Sequence, residues 1–307
     1  MVMILYFIVF GFLVTAIVGL LLSWLDRKVT ARVQYRVGPP LLQPFIDILK
    51  LLGKELLIPK GASKITFLLS PLLGLVSIMV VSTLLCLVNI WPQKTFFGDL
   101  IVVLYFLVLP SLSIILGGFA SRNPLASIGA SREMKLVLAY ELPFILAILV
   151  PVIKSGLTIR LGEIINYQVA NGAVLASWSG VISFIVILLC AQAKLGLVPF
   201  DVAEAETELS GGALIEYSGP ALAIFKLMKA MMLFVLPFFM TIVFLGGFNF
   251  RGLVALKGLS LFVGIIVLVV VIRNTNPRLR IDQILRFFWG PVALLSILAV
   301  LLASRGL

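Results

Sequence analysis

The chain has 307 residues, 62% of them hydrophobic, with 24 Lys or Arg against 13 Asp or Glu and no His. Charged residues make up 12%, about half of the roughly 25% usual in a soluble domain, and the mean hydropathy is +1.21. These figures exclude a water-soluble globule. They predict an all-α, polytopic membrane protein in which 1–307 forms a single membrane domain.

Composition also limits the chemistry. Cys86 and Cys190 each sit inside an apolar run. A zinc site, a His-ligated haem or an iron–sulfur cluster needs several thiolate or imidazole ligands. A nucleophilic Ser–His or Cys–His pair needs an imidazole as well. We therefore expect no metal and no cofactor on this chain, and no catalytic residue in the strict sense. Any redox centre belongs to a partner.

Eight apolar runs approach the roughly 20 residues that span a bilayer: 2–24, 66–90, 99–119, 134–153, 174–193, 221–246, 255–272 and 287–304. The first is not a cleaved signal, because its basic residues follow the apolar run instead of preceding it. The sizeable polar connections are expected after runs one, three, five and seven, which puts them on one side. That side carries Arg27, Lys28, Arg32 and Arg36, then Arg122, Arg132 and Lys135, then Lys194, Lys226 and Lys229, then Arg273, Arg278, Arg280 and Arg286. With the lysines of 50–64 it holds eighteen Lys or Arg, against six on the other side. The positive-inside rule makes it cytoplasmic and places both termini outside a cell (inner, cytoplasmic) membrane. The basic residues are divided among loops flanking spans, a pattern that argues for topology and against nucleic acid.

The first of these connections, 25–65, is more than a loop. Phe45, Ile48, Leu49, Leu52 and Leu56 recur at helical spacing, with Asp47, Lys50, Lys54 and Glu55 off the stripe. The segment is too short to span, so it predicts an interfacial amphipathic helix of about 15 residues. It could be a simple surface anchor or a wall of a cavity. Arg27, Lys28, Arg32, Arg36, Arg132, Arg278 and Arg280 are candidates for docking a cytoplasmic subunit or lining that cavity; their plain alternative is lipid-headgroup contact.

Acids are scarce, and five cluster in the 194–220 connection: Asp201, Glu204, Glu206, Glu208 and Glu216. If 201–208 is helical, Asp201, Glu204 and Glu208 share a face and Glu206 points elsewhere. Like charges so close resist joint ionisation, which suits carboxylates to passing protons near neutral pH. A solvated acidic loop neutralised by basic neighbours is the alternative. Lys226 and Lys229 are placed to tune the acids. Glu141 stands inside the fourth run, two residues before Pro143. An ionisable group there should face the bundle interior or water, as a functional carboxylate or a structural hydrogen-bonding partner.

The strings DRKVTARVQYRVGPPLLQPFIDILKLLGKE (26–55), SREMKLVLAYELP (131–143), VPFDVAEAETELSGGALIEYSG (198–219) and NPRLRIDQILRFFW (276–289) resemble the membrane subunit of complex I called subunit 1, or the H-type subunit. They also resemble its homologues in energy-converting, membrane-bound NiFe hydrogenases and the related sulfane-sulfur reductases. The resemblance covers most of the chain. It implies a subunit without a redox centre that lies under a cytoplasmic arm and couples reduction there to ion movement. Its carboxylate chain falls on Glu141 and the 201–216 acids. The implied partners are hydrogenase-like large and small iron–sulfur subunits, bearing 4Fe–4S clusters and a NiFe centre, together with antiporter-like membrane subunits.

In complex I this region also forms a quinone cavity. Here Val37-Gly38-Pro39-Pro40 runs directly into Leu41-Leu42-Gln43-Pro44, without the longer insert of complex I members, and Asp26 replaces the initial Glu. Both departures favour the hydrogenase branch over quinone. The expected function is energy coupling in a ferredoxin-linked, hydrogenase-type complex that moves H+ or Na+. Alternatives are a sulfane-sulfur reductase, a quinone-reducing enzyme, a stand-alone secondary transporter, which would call for an internal symmetry not visible here, and a purely structural anchor.

Overall fold

A computed structural model describes residues 5–248 and 253–306; the side chains of 206, 207 and 253–257 lie outside the described set. The fold is 77% helix, without strands among the described residues. The membrane helices are α1 (Phe7–Val33), α3 (Lys64–Ile90), α4 (Asp99–Ala120), α5 (Pro124–Lys154), α7 (Trp178–Lys194), α8 (Gly219–Leu245), α9 (Leu253–Thr275) and α10 (Ile281–Ser304). Two shorter helices join them: α2 (Gln43–Leu52) and α6 (Leu161–Asn171).

Among the described residues, seven helices are long and apolar enough to cross a membrane. The expected fifth span, α7, has 17 residues, about 25 Å at 1.5 Å per residue. It begins at Trp178 and not at 174, because Val174–Ala176 forms a 3-10 turn and Ser177 caps the helix through Gly180 N.

Several limits shift, and the shifts matter for the site. α1 runs nine residues beyond the expected end, so Asp26, Arg27, Lys28 and Arg32 ride on helix. α5 begins ten residues early. Asn123 accepts a hydrogen bond from Leu125 N at 2.8 Å and Pro124 occupies the first turn, a favoured pairing of N-cap and N1 residues. Arg132 and Lys135 therefore lie on α5 and not in a loop. The connection between α5 and α7, expected to be minor, holds α6.

α8 is the hub: its apolar window is 89% buried, against 28% for α1 and 33% for α9 and α10. Small residues let helices reach it. A Cβ on Gly19 of α1 would collide with the Ala230 backbone, and one on Gly74 of α3 with Met228 and Ser113. Such close approach is how helices pack where lipid supplies no hydrophobic driving force.

The amphipathic helix expected within 25–65 forms but is shorter than expected, 10 residues, with Pro44 at its start and Gly53 at its end. Phe45 and Ile48 are half-buried, while Leu49 and Leu52 remain exposed. Residues 201–205 are not helical, and only Glu206–Leu209 forms a turn of helix. The expected shared face of Asp201, Glu204 and Glu208 is thus not the arrangement found.

Candidate functional site

The site lies at the basic end of the bundle, where the 195–218 connection folds back between α5, α8 and α10. Gly129 of α5 makes this possible, since a Cβ there would meet Ala213 N at 2.5 Å and Ala203 O at 2.8 Å. The acids of the connection do not stand free, and most take a basic partner from another element. Arg278 donates to Asp201 at 2.8 Å, Lys229 pairs with Glu204, and Arg132 donates to Glu208 at 2.6 Å. Asn123 donates to Glu216 at 2.5 Å. The Glu206 side chain lies outside the described residues.

Asp201 and Glu204 still line the same spaces. Burial, and after it the charge of Glu204, pushes the Asp201 carboxyl above the usual aspartate range, against the pull of Arg278. Glu208 turns outward, and its hydrogen bond from Arg132 holds it below the usual range.

Two spaces with shared walls flank these acids. A cleft of about 400 Å³ is lined by Ser23, Asp26, Arg27, Asp201, Glu204, Lys226, Lys229 and Arg273, among others. Across Asp201, Glu204 and Lys229 lies a small cavity of about 20 Å³, bounded also by Ser111, Glu133 and Lys194. That volume is about enough for one water molecule.

Glu133 and Lys194 are the residues that sequence reasoning missed. Glu133 is 5% exposed and Lys194 is 4% exposed. Glu133 belongs to the buried stripe Ala126, Gly129, Ala130, Glu133, Leu136, Val137, Tyr140, Phe144. The signal for it was Asn123-Pro124, which starts the helix early enough to carry Glu133 inside. Lys194 stands in line with buried Cys190 and Ala191 on the last turn of α7.

Glu141 does face the interior, as expected. Lys194 Nζ lies 2.8 Å from its Oε2, with no side-chain exposure on the lysine and 22% on the glutamate. The ammonium also lies over the Tyr140 and Phe144 rings, 4.9 and 4.6 Å from their centroids, a favourable placement for a desolvated cation. Pro143 leaves the Ala139 carbonyl without its usual donor next to this pair. On its other side Glu141 borders a groove of about 620 Å³ between α4 and α5, lined by Ile101, Leu104, Tyr105, Leu112 and Ile145.

The docking candidates divide. Arg27 donates to Asp47 of α2 at 3.0 Å; despite partial burial, hydrogen bonds from Gln43 and Arg27 hold Asp47 below the usual range. Arg32 and Arg36 are exposed and Lys28 is half-buried. Arg280 is open to solvent beside Asp282. Lys226 is exposed on the cleft wall. Asp26, at the cleft edge, pairs with Arg273 of α9. No group of three or more His, Cys, Asp or Glu suited to a metal occurs among the described residues.

The family model described as NADH dehydrogenase matches residues 4–304. The chain belongs to the NADH dehydrogenase subunit 1 family. It is 33% identical over 304 residues to the second H-type subunit of NADH-quinone oxidoreductase from Syntrophobacter fumaroxidans, covering 93% of this chain and 91% of the relative. It is 36% identical over 300 residues to the H-type subunit of NADH-quinone oxidoreductase from Geobacillus sp. (strain WCH70), covering 91% and 87%. In structure it is similar to a chain of the membrane-bound sulfane sulfur reductase, an archaeal respiratory membrane complex. The TM-score there is 0.89 at 28% identity, covering 99% of this chain and 100% of that one. Membership of this family makes the chain a multi-pass membrane subunit whose relatives work within oxidoreductase complexes.

Proposed function

We propose that this subunit couples reduction in a docked, ferredoxin-linked arm to movement of H+ or Na+ in antiporter-like membrane partners. The arm would be of membrane-bound hydrogenase type, with 4Fe–4S clusters and a NiFe centre in its large and small subunits. The observation that carries the reading is a series of ionisable groups that share the walls of neighbouring spaces. It enters at the cleft of Asp26, Arg27 and Lys226, passes Asp201, Glu204 and Lys229, crosses the small cavity, and ends at Glu141 on the α4–α5 groove. Redox change above the cleft alters the field at Asp201 and Glu204, and the protonation of Glu141 follows. On this reading the basic end is cytoplasmic, both termini are outside, and the membrane is the cell (inner) membrane.

The test is ion transport per electron by the intact complex in liposomes. Glu141→Gln should lower it by at least about 100-fold, the scale lost when a proton-transfer group is removed. Full transport by that variant overturns the proposal.

Two observations favour other terminal reactions within the same role. The likeness to the sulfane sulfur reductase chain supports sulfur reduction. The names of the relatives and the cleft of about 400 Å³ support a quinone; the shortened Gly38–Leu42 loop speaks against it. The composition of the purified complex separates the three. Nickel with evolved hydrogen supports the hydrogenase reading, iron without nickel or quinone supports sulfur reduction, and stoichiometric quinone supports the last.

A further inference from the structure

Most of the acids around the cleft have a cation of their own: Asp201 has Arg278, Glu204 has Lys229, Asp26 has Arg273. Deeper in, the count does not match. Two carboxylates, buried Glu133 and half-buried Glu141, stand around one buried ammonium, Lys194. Glu141 holds it at 2.8 Å. None of the described ion pairs includes Glu133, whose carboxylate faces the small cavity with Ser111 at its side. Lys194 forms another wall of that cavity. Its four-carbon stem allows the head to turn without any movement of the backbone.

The remaining charged and titratable neighbours are fixed. Lys229, Glu204 and Asp201 act on Glu133 from the cleft side, and Lys229 is already paired with Glu204. Tyr140 and Cys190 flank Lys194 within the bundle. An unpaired ion in so dry a place is costly. The fold therefore supports a negative charge on one of the two carboxylates far better than on both.

We infer that Lys194 is a charge switch, serving Glu133 and Glu141 in turn across a cavity that holds one water molecule. This deepens the coupling reading and rests on it. When a proton arrives from the cleft through the cavity water, Glu133 becomes the neutral acid. Lys194 then stays with ionised Glu141, as observed. When Glu133 releases its proton back to the cleft by the same route, it becomes the anion and Lys194 turns to it. Glu141, left without its cation beside an apolar groove, takes up one proton from the partner side. Returning to the first state reverses both exchanges. Each swing changes one O–H bond at each carboxylate, in opposite senses, with Lys194 charged throughout and no electrons moved. Glu133 and Lys194 are thereby positioning residues for a proton that Glu141 takes from the partner side and returns to it, in step with proton exchange at the cleft.

Redox-induced infrared difference spectra of the intact complex read this directly. Two carboxyl signals of opposite sign are expected, one lost in Glu133→Gln and the other in Glu141→Gln. Lys194→Gln should remove the opposition, because both acids then stay protonated. A role confined to packing would leave the signals unchanged. Transport per electron should fall at least about 100-fold in Glu133→Gln. Should that variant fail to assemble, the double variant Glu133→Gln/Lys194→Gln leaves Glu141 as its neutral acid and should assemble with transport lost. Full transport by whichever variant assembles, or signals of the same sign, overturns the switch. If Glu141→Gln still abolishes transport in that event, the coupling reading stands alone; if Glu141→Gln also transports fully, both fall.

Discussion

The two ends of the bundle use their polar residues differently. At the basic end, side-chain charges meet side-chain charges along spaces that can hold water: Asp26 with Arg273, Asp201 with Arg278, Glu204 with Lys229. At the opposite end the exposed Arg160–Glu163 pair is an exception, and buried polar side chains bond to backbone instead. Asp99 Oδ1 accepts from Leu100 N at 2.7 Å and from Leu161 N at 2.9 Å, which ties the starts of α4 and α6 together. Gln168 Nε2 donates to Val243 O at 3.0 Å, and Asn89 Oδ1 accepts from Phe248 N at 2.7 Å. A carboxylate bonded to amides has nothing to exchange, whereas one bonded to a lysine or arginine can trade partners. The basic end is built to change state, and the other end is built to stay put.

The largest effect expected in breaking this contrast is on Asp26. Its side chain is 8% exposed and its partner Arg273 is 29% exposed on the loosely held α9. Asp26→Ala leaves Arg273 facing the cleft without a counter-charge. Removing one member of a buried pair costs about 3–5 kcal/mol, reduced here toward the lower end because Arg273 keeps some solvent. Thermal unfolding of the purified complex should fall accordingly. The change should be largely repaired in Asp26→Ala/Arg273→Ala, since both charges then go. A double variant no better than the single one would mean that the pair is not what holds α9 to α1.

Asp99→Ala probes the other end. Losing a helix-capping acid costs about 0.5–2 kcal/mol, and here two helix starts lose their acceptor. Stability should drop by about 1–2 kcal/mol, while ions moved per electron remain at the wild-type value. A loss of coupling without a loss of stability would show that the quiet end also takes part.

Much of this contrast was legible in the sequence. Eight apolar runs, the interfacial helix, the acidic connection and Glu141 could all be placed from hydropathy and spacing, because burial in lipid imposes a strong periodic signal on the chain. Glu133 and Lys194 were not legible in the same way. Each lies just beyond the edge of an expected apolar run, where a hydropathy window counts a charged residue as loop. Only the cap at Asn123-Pro124 shows that α5 has already begun, and only the tertiary fold brings α7 against Glu141. The pairing of the 201–216 acids was hidden for a related reason. Their partners Arg278, Lys229, Arg132 and Asn123 come from distant parts of the chain, and no local period encodes them.

The smallest effect is a pH dependence carried by Asp201. Its carboxyl lies above the usual aspartate range in the folded protein, through burial first and the charge of Glu204 second. In the unfolded chain it returns to about 3.9. Between those two values the folded state binds the proton and the unfolded state does not, so stability must decrease as pH rises through that interval. The contribution is fully present below the unfolded value and is gone above the folded one. Asp201→Asn cannot titrate, so the melting temperature of wild type relative to this variant should fall as pH rises through the mildly acidic range and then level off. Glu208, held below its usual range by Arg132, works with the opposite sign, its contribution being lost as pH falls through its folded value, so the comparison must be made with Glu208 intact in both proteins. A difference that stays flat with pH would mean that Arg278 alone sets the state of Asp201. Asp201 would then be as fixed as Asp99, and of the two acids that border both spaces only Glu204 would be left to change state.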